Sequence, residues 1–268
     1  MAEIRNQTVS VLGGLLDIRV DVAGTGDPLV FLHSAGGLNW DPFLHGLAEK
    51  YTVYAPYFPG TFPGEPNDID QVEDLWDAVL AYDDILTGLG IDSTRLVGHS
   101  FGGMLAAELA AHKPERISRL VLIAPIGLWH KDWSYTVADW TAKDAEQLAA
   151  ALFHNTASEL VQAALAQPGD EDEAAEGLVQ FLWTLGCTAK VIWPIPDKGL
   201  NKRIHRISAP ALVVWGENDA LIPPAYAEIF ASSIKQAEVC MIPDCGHVPP
   251  LEQLDALNSA VGKFLVVG

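Results

Sequence analysis

Short, continuous apolar runs alternate with longer stretches of helical spacing as far as Ala124. Leu29-Val30-Phe31-Leu32, Tyr51-Thr52-Val53-Tyr54-Ala55, Thr94-Arg95-Leu96-Val97 and Leu120-Val121-Leu122-Ile123-Ala124 have the composition of strands covered on both faces. Between them, Asp41 to Lys50 and Ile69 to Leu86 read as helices, the second through Val72, Leu75, Trp76, Val79, Leu80 and Tyr82. Met104 to Ala111 is an Ala/Leu-rich helix. Ahead of all these, Gln7 to Val11 and Leu15 to Val22 read as β segments joined at Gly13-Gly14. Strands alternating with helices predict an α/β class with a mostly parallel sheet covered on both faces.

The alternation stops at Pro125. From Gly127 to Arg206 the pattern is helical and loopy, without a strand signal. Five of the eight tryptophans lie in this stretch: Trp129, Trp133, Trp140, Trp183 and Trp193. Strand character returns at Ala211-Leu212-Val213-Val214-Trp215. A helix from Pro224 to Ser232, a strand from Ala237 to Ile242 and an amphipathic helix from Leu251 to Val266 follow. The pattern thus divides the chain into core residues 1–126, an inserted helical cap over 127–206 and core residues 207–268. A chain of 268 residues, 49% hydrophobic, suits one α/β domain carrying such an insertion.

Charge narrows the partners. A net charge of −19 argues against nucleic acid and anionic membrane surfaces. The N-terminal residues Met1 to Gln7 contain no apolar leader core, and no apolar run approaches the roughly 18 residues of a membrane span. These features lead us to expect a cytoplasmic protein with reduced thiols at Cys187, Cys240 and Cys245. Asp170-Glu171-Asp172-Glu173 reads as the solvated start of a helix, since no His or Cys is spaced to join it around a metal.

The candidate chemistry sits at Gly98-His99-Ser100-Phe101-Gly102-Gly103, where a buried strand turns into a helix. This spacing is a nucleophile elbow. Ser100 must take a strained backbone conformation for its Oγ to project, and Gly98 and Gly102 let strand and helix close on either side. A serine hydroxyl needs a base, and the base needs an orienting carboxylate. Trp215-Gly216-Glu217-Asn218-Asp219 and Gly246-His247 each follow a strand's C-terminal end, where open α/β sheets place their sites. Asp219 is the acid candidate, with Glu217 and Asp244 as rivals. His247 is the base candidate. Among its rivals, His99 reads as structural, His33 as an anchor for its loop and His205 as exposed.

In register and in the chain order Ser, Asp, His, these three motifs resemble the α/β-hydrolase superfamily over the whole chain except the cap. The resemblance implies an eight-stranded, mostly parallel sheet with an inserted cap, and catalytic residues Ser100, Asp219 and His247. It implies an oxyanion hole from the backbone N–H groups of Phe101 and of Ala35, with Ser34 as the alternative to Ala35, in the loop after His33. It also implies acyl transfer to water, with no metal and no organic cofactor. Dehalogenases and epoxide hydrolases of the superfamily use Asp at the nucleophile position, so Ser100 argues against both. Its C–C hydrolases of meta-cleavage products typically carry Trp after the catalytic His, where this chain has Val248.

The expectation is therefore a serine hydrolase of a carboxylic ester or lactone of a small apolar or aromatic molecule. A C–C hydrolase of a vinylogous β-diketone is the alternative, with Lys190, Lys198 and Arg203 as candidate cations, and a non-enzymatic ligand receptor is a further one. Ser34, Trp129, Trp133, Trp183 and Val248 are the expected pocket residues, and a homodimer is the candidate assembly.

Overall fold

A computed structural model of the protein describes residues 2–135, 144–166, 168–193 and 198–266. Eight strands form one sheet: β1 (Arg5–Val11), β2 (Leu16–Ala23), β3 (Pro28–Leu32), β4 (Thr52–Pro56), β5 (Thr94–His99), β6 (Ile117–Ile123), β7 (Ala211–Gly216) and β8 (Ala237–Ile242). Their spatial order is β1-β2-β4-β3-β5-β6-β7-β8. The β1–β2 and β2–β4 pairs are antiparallel and the rest are parallel.

The apolar runs of the central strands divide by alternation. Val30, Leu32, Leu96, Leu120, Leu122 and Val213 face one core, together with α2 (Leu75–Gly88), α3 (Phe101–His112) and α7 (Tyr226–Ser233). Leu29, Phe31, Val97, Val121, Ile123 and Val214 face the other, with α1 (Pro42–Ala48) and α9 (Leu254–Val266). A strand buried on both faces has no polar side, which is why these segments read as unbroken hydrophobic runs.

Two expected helices are interrupted. The stretch from Ile69 to Leu86 becomes a 3-10 turn at Pro66–Gln71, an extended Val72 and then α2. Asp74 decides this: its side chain accepts from Trp76 N and Asp77 N, so the helix starts after it. The stretch from Leu251 to Val266 divides into α8 (Pro249–Glu252) and α9, because Gln253 leaves helical geometry at φ −140°, ψ 53°. The β1–β2 hairpin closes through a 3-10 turn in which Leu12, Gly13 and Gly14 all have positive φ.

Between β6 and β7 the chain leaves the sheet. Among the described residues it contributes α4 (Ala145–Leu152), α5 (Glu159–Leu165) and α6 (Glu171–Ile192), and no strand. Asp170 caps α6 by accepting from Asp172 N and Glu173 N, so the acidic run is a helix start. No helix is long and apolar enough to cross a membrane, among the described residues. All three cysteines are free.

The inserted segment returns to the core over an ion pair whose carboxylate is buried and whose guanidinium is half-buried. Arg203 holds Glu108 of α3 through two hydrogen bonds of 2.7 Å, with Glu108 only 1% exposed. Removing one partner of such a pair strands a buried charge, at a cost of about 3 kcal/mol. Arg203→Leu should lower the urea midpoint accordingly at an unchanged m-value, whereas adding Glu108→Leu should recover most of the loss. Additive losses in the double variant would show that the pair is not the source.

Candidate active site

Ser100 sits between β5 and α3 with φ 54° and ψ −111°. That strain is held on both sides: its N–H donates to Ile123 O at 2.8 Å, and its carbonyl accepts from Met104 N and Ile126 N. The glycines do what the sequence pattern requires. A Cβ on Gly98 would stand 2.3 Å from Gly102 O, and one on Gly102 would stand 2.1 Å from Leu32 O. Only bare backbone fits, so the elbow lies directly against the end of β3.

The three candidate residues meet. His247 Nε2 lies 2.9 Å from Ser100 Oγ, and His247 Nδ1 lies 2.7 Å from Asp219 Oδ2. All three side chains are buried. With the carboxylate on Nδ1, the ring carries its proton there and Nε2 accepts from the serine hydroxyl. Asp219 is saturated. Its Oδ1 accepts from Leu221 N and Ile222 N at 2.9 and 2.8 Å, and its Oδ2 also accepts from Trp215 Nε1 at 3.1 Å. The rivals are elsewhere: Glu217 is exposed, and Asp244 is exposed and faces His154 at 3.9 Å.

The other histidines are supports. His33 Nε2 accepts from Phe58 N at 3.0 Å, so its Nδ1–H donates to Ser34 O at 2.7 Å. Gly37 N donates to the same carbonyl at 3.1 Å, with Gly37 at φ 100°. In a trans peptide the N–H points opposite its C=O. Pinning Ser34 O therefore aims the Ala35 N–H the other way. Ala35 O accepts from Thr188 Oγ1 of α6 at 3.4 Å. Phe101 opens α3, so its N–H is one that a helix leaves without an internal partner. His99 Nε2 donates to His247 O at 2.9 Å, which steadies the backbone of the candidate base. His205 is exposed.

A cavity of about 470 Å³ opens over Ser100. His247, Ala35, Phe101, Ser34 and Val248 line it. Trp129, Trp133 and Trp183 do not, which corrects the expectation for them: they are 47%, 46% and 44% exposed. Trp183 instead ties α6 to the core surface, donating Nε1–H to Gly60 O at 3.0 Å. The face that α6 turns to the cavity carries Phe181, Leu185 and Ile192, spaced four and seven apart. Trp183, two positions from Phe181, points to another side. Trp140 lies outside the described residues. The sequence pattern did not single out the other lining residues, among them Leu148, Leu152 and Phe153 of the insertion and Asn39 and Asp41 of the core. Only three-dimensional placement sets them apart from other apolar or capping residues.

No Lys or Arg lines this cavity among the described residues. Lys190 donates to Ile69 O, Lys198 to Trp193 O, and Arg203 holds Glu108. No cluster of metal-ligating side chains occurs among the described residues.

Residues 27–254 match the family profile described as the alpha/beta hydrolase fold. The chain belongs to that family. It is 26% identical, over 95% of its own length and 94% of the other's, to a 2-hydroxy-6-oxo-6-phenylhexa-2,4-dienoate hydrolase of Burkholderia cepacia. It is 25% identical, over 88% of its length and 94% of the other's, to a pimeloyl-acyl-carrier-protein methyl ester esterase of Nitrosomonas europaea. A solved serine hydrolase of the polyaromatic-hydrocarbon-degrading bacterium Cycloclasticus zankles superposes with a TM-score of 0.77 at 22% identity, covering 98% of each chain. This α/β hydrolase is therefore similar both to a dienoate hydrolase and to a methyl ester esterase.

Burial lowers the His33 and His99 rings to about 4, with the neighbouring His247 adding to the shift at His99. Both rings regain an ordinary value when the chain unfolds, so the unfolded state binds more protons below that value and stability falls with pH. The slope should approach about 1.4 kcal/mol per pH unit for each ring between about pH 6.5 and 5. Urea unfolding across that window should show the loss, and His99→Gln, less stable at neutral pH, should show a shallower slope. An unchanged slope in the variant would remove His99 from the account.

Proposed function

We propose that this α/β hydrolase cleaves carboxylic esters of small, uncharged apolar molecules, with Ser100 as nucleophile, His247 as general base and Asp219 as its orienting carboxylate. The observation that carries this reading is the hydrogen-bond chain from Asp219 through His247 to Ser100, opening into an apolar cavity without a lining Lys or Arg among the described residues. His247 takes the proton as Ser100 Oγ attacks the carbonyl carbon. The N–H groups of Phe101 and Ala35 receive the oxyanion, a contribution on the order of 3 kcal/mol for each donor. His247 then protonates the leaving alkoxide and activates water against the acyl-enzyme.

The second reading is hydrolysis of a C–C bond in a vinylogous β-diketone, supported by the likeness to the dienoate hydrolase. A dienoate carries a carboxylate, and among the described residues the ionisable side chain that this cavity adds beyond its histidines is Asp41. A carboxyl group there repels a second one, so we favour the uncharged ester. Residues 127–206 act in this proposal as a cap that shapes the cavity and takes no part in bond making. Phe181 and Leu185 replace the tryptophans as the side chains that meet the substrate.

A fluorophosphonate should label Ser100 alone, and Asp219→Asn should lower kcat by about 10⁴-fold through loss of imidazole orientation. Labelling elsewhere, or a loss below tenfold, would displace these roles. Phe181→Ala should lower kcat/KM for a bulky aryl ester roughly tenfold more than for an acetate ester, because remote contacts hold the acyl group in attack geometry. Trp183→Ala should not discriminate between them. If a ring-fission diketone is turned over far better than any neutral ester in a Ser100-dependent way, the ester assignment is wrong.

A further inference from the structure

The loop that carries His247 is joined to the inserted helices by a compact set of backbone contacts. His247 N–H donates to Leu152 O, the last residue of α4, at 2.7 Å. One carboxylate completes the joint. Glu252 Oε2 accepts from Gly246 N at 2.7 Å, and its Oε1 accepts from His154 N at 2.7 Å and Asn155 N at 3.1 Å. Glu252 thus satisfies one amide beside His247 and two amides of the insertion at once. The approach is so close that a Cβ on Gly246 would stand 2.6 Å from Leu152 O and 2.8 Å from His154 N. Leu152 and Phe153 of the same joint line the cavity over Ser100.

We propose that Glu252 is a positioning residue that locks the His247 loop to the inserted segment, so that the base and the roof of the cavity are set by a single joint. This rests on the reading of His247 as the base. The chemistry of the joint requires a carboxylate. Each of its oxygens faces N–H donors, and a carboxylate is acceptor-only. A glutamine can serve one side and must present its NH₂ to the donors of the other. The side chain touches neither Ser100 nor the cavity, so its effect on rate passes through the placement of His247.

The test uses Glu252→Gln and Gly246→Ala in the full chain. The second variant keeps the carboxylate's chemistry and opens the same joint by crowding, since its added Cβ would meet Leu152 O, His154 N and Glu252 Oε2 at 2.6, 2.8 and 2.9 Å. Active sites are counted by stoichiometric organophosphonate titration, which removes any loss of folded protein from the rates. Per active site, kcat for an acetate ester should fall at least tenfold in both variants, and the preference for bulky aryl over acetate esters should shrink. Hydrogen exchange supplies a readout independent of turnover. The His247 amide and the segment 153–158 should gain exchange together in both variants, while β5 and α3 stay protected. Unchanged per-site kcat and preference, with exchange rising in one segment and not the other, would overturn the proposal. If exchange rises in both segments while the wild-type protein hydrolyses no ester, the joint stands and the proposed activity fails.

Discussion

Everything at the site hangs from the close approach of β5, α3 and the end of β3. Bare backbone at Gly98 and Gly102 lets α3 start within van der Waals reach of the strand it has just left and of Leu32. That packing leaves Ser100 no choice but a positive φ, and the Ile123 carbonyl holds it there. The strain is affordable because β3, β5 and β6 are buried on both faces and cannot yield. One turn therefore points the serine hydroxyl outward and aligns the first N–H of α3 beside it.

A second layer of polar order surrounds this turn and is almost entirely neutral. His33 orients the Ser34 peptide, His99 steadies the His247 backbone, and burial keeps both rings uncharged at neutral pH. The carboxylate that meets His247 Nδ1 is Asp219, held in place by four hydrogen bonds. The general-base step proposed for His247 would create an imidazolium directly beside this carboxylate. The same economy shows away from the cavity, where Lys190 and Lys198 are turned to backbone carbonyls and Arg203 to Glu108.

The inserted helices are bound to the core at several unlike points. Trp183 meets Gly60 O, Thr188 meets Ala35 O, Arg203 meets Glu108, and Glu252 meets the backbone of 154 and 155. Two of these touch the backbone segments proposed to work on the substrate, namely the Ala35 loop and the His247 loop. The insertion thus serves as more than a cover: its placement and the geometry beneath it share hydrogen bonds.

Much of this was legible in the amino-acid sequence, because local rules suffice where backbone packing is the issue. The doubly covered strands announce themselves as unbroken apolar runs, and the elbow as small residues around Ser100. Asp219 and His247 follow from their places just past β7 and β8. Helix ends were less legible at Asp74 and Gln253, where a cap or one non-helical residue overrides apolar periodicity. The cavity lining was legible on the core side at Ser34 and Val248, and not on the side that the insertion supplies. Trp183 and Phe181 lie two positions apart in α6, about 200° around its axis, so the way the helix is turned decides which of them meets the cavity. That orientation is held jointly by Gln180 on Thr61 O, Trp183 on Gly60 O and Thr188 on Ala35 O, all more than a hundred residues away in the chain, so that loss of one leaves two. The carboxylate of Glu252 joins the loop at 246 to the insertion at 154 in the same way. Sequence alone determined the fold and the residues that could react. Tertiary structure alone decided what surrounds them, because side-chain direction on an inserted helix depends on distant partners and on no local pattern.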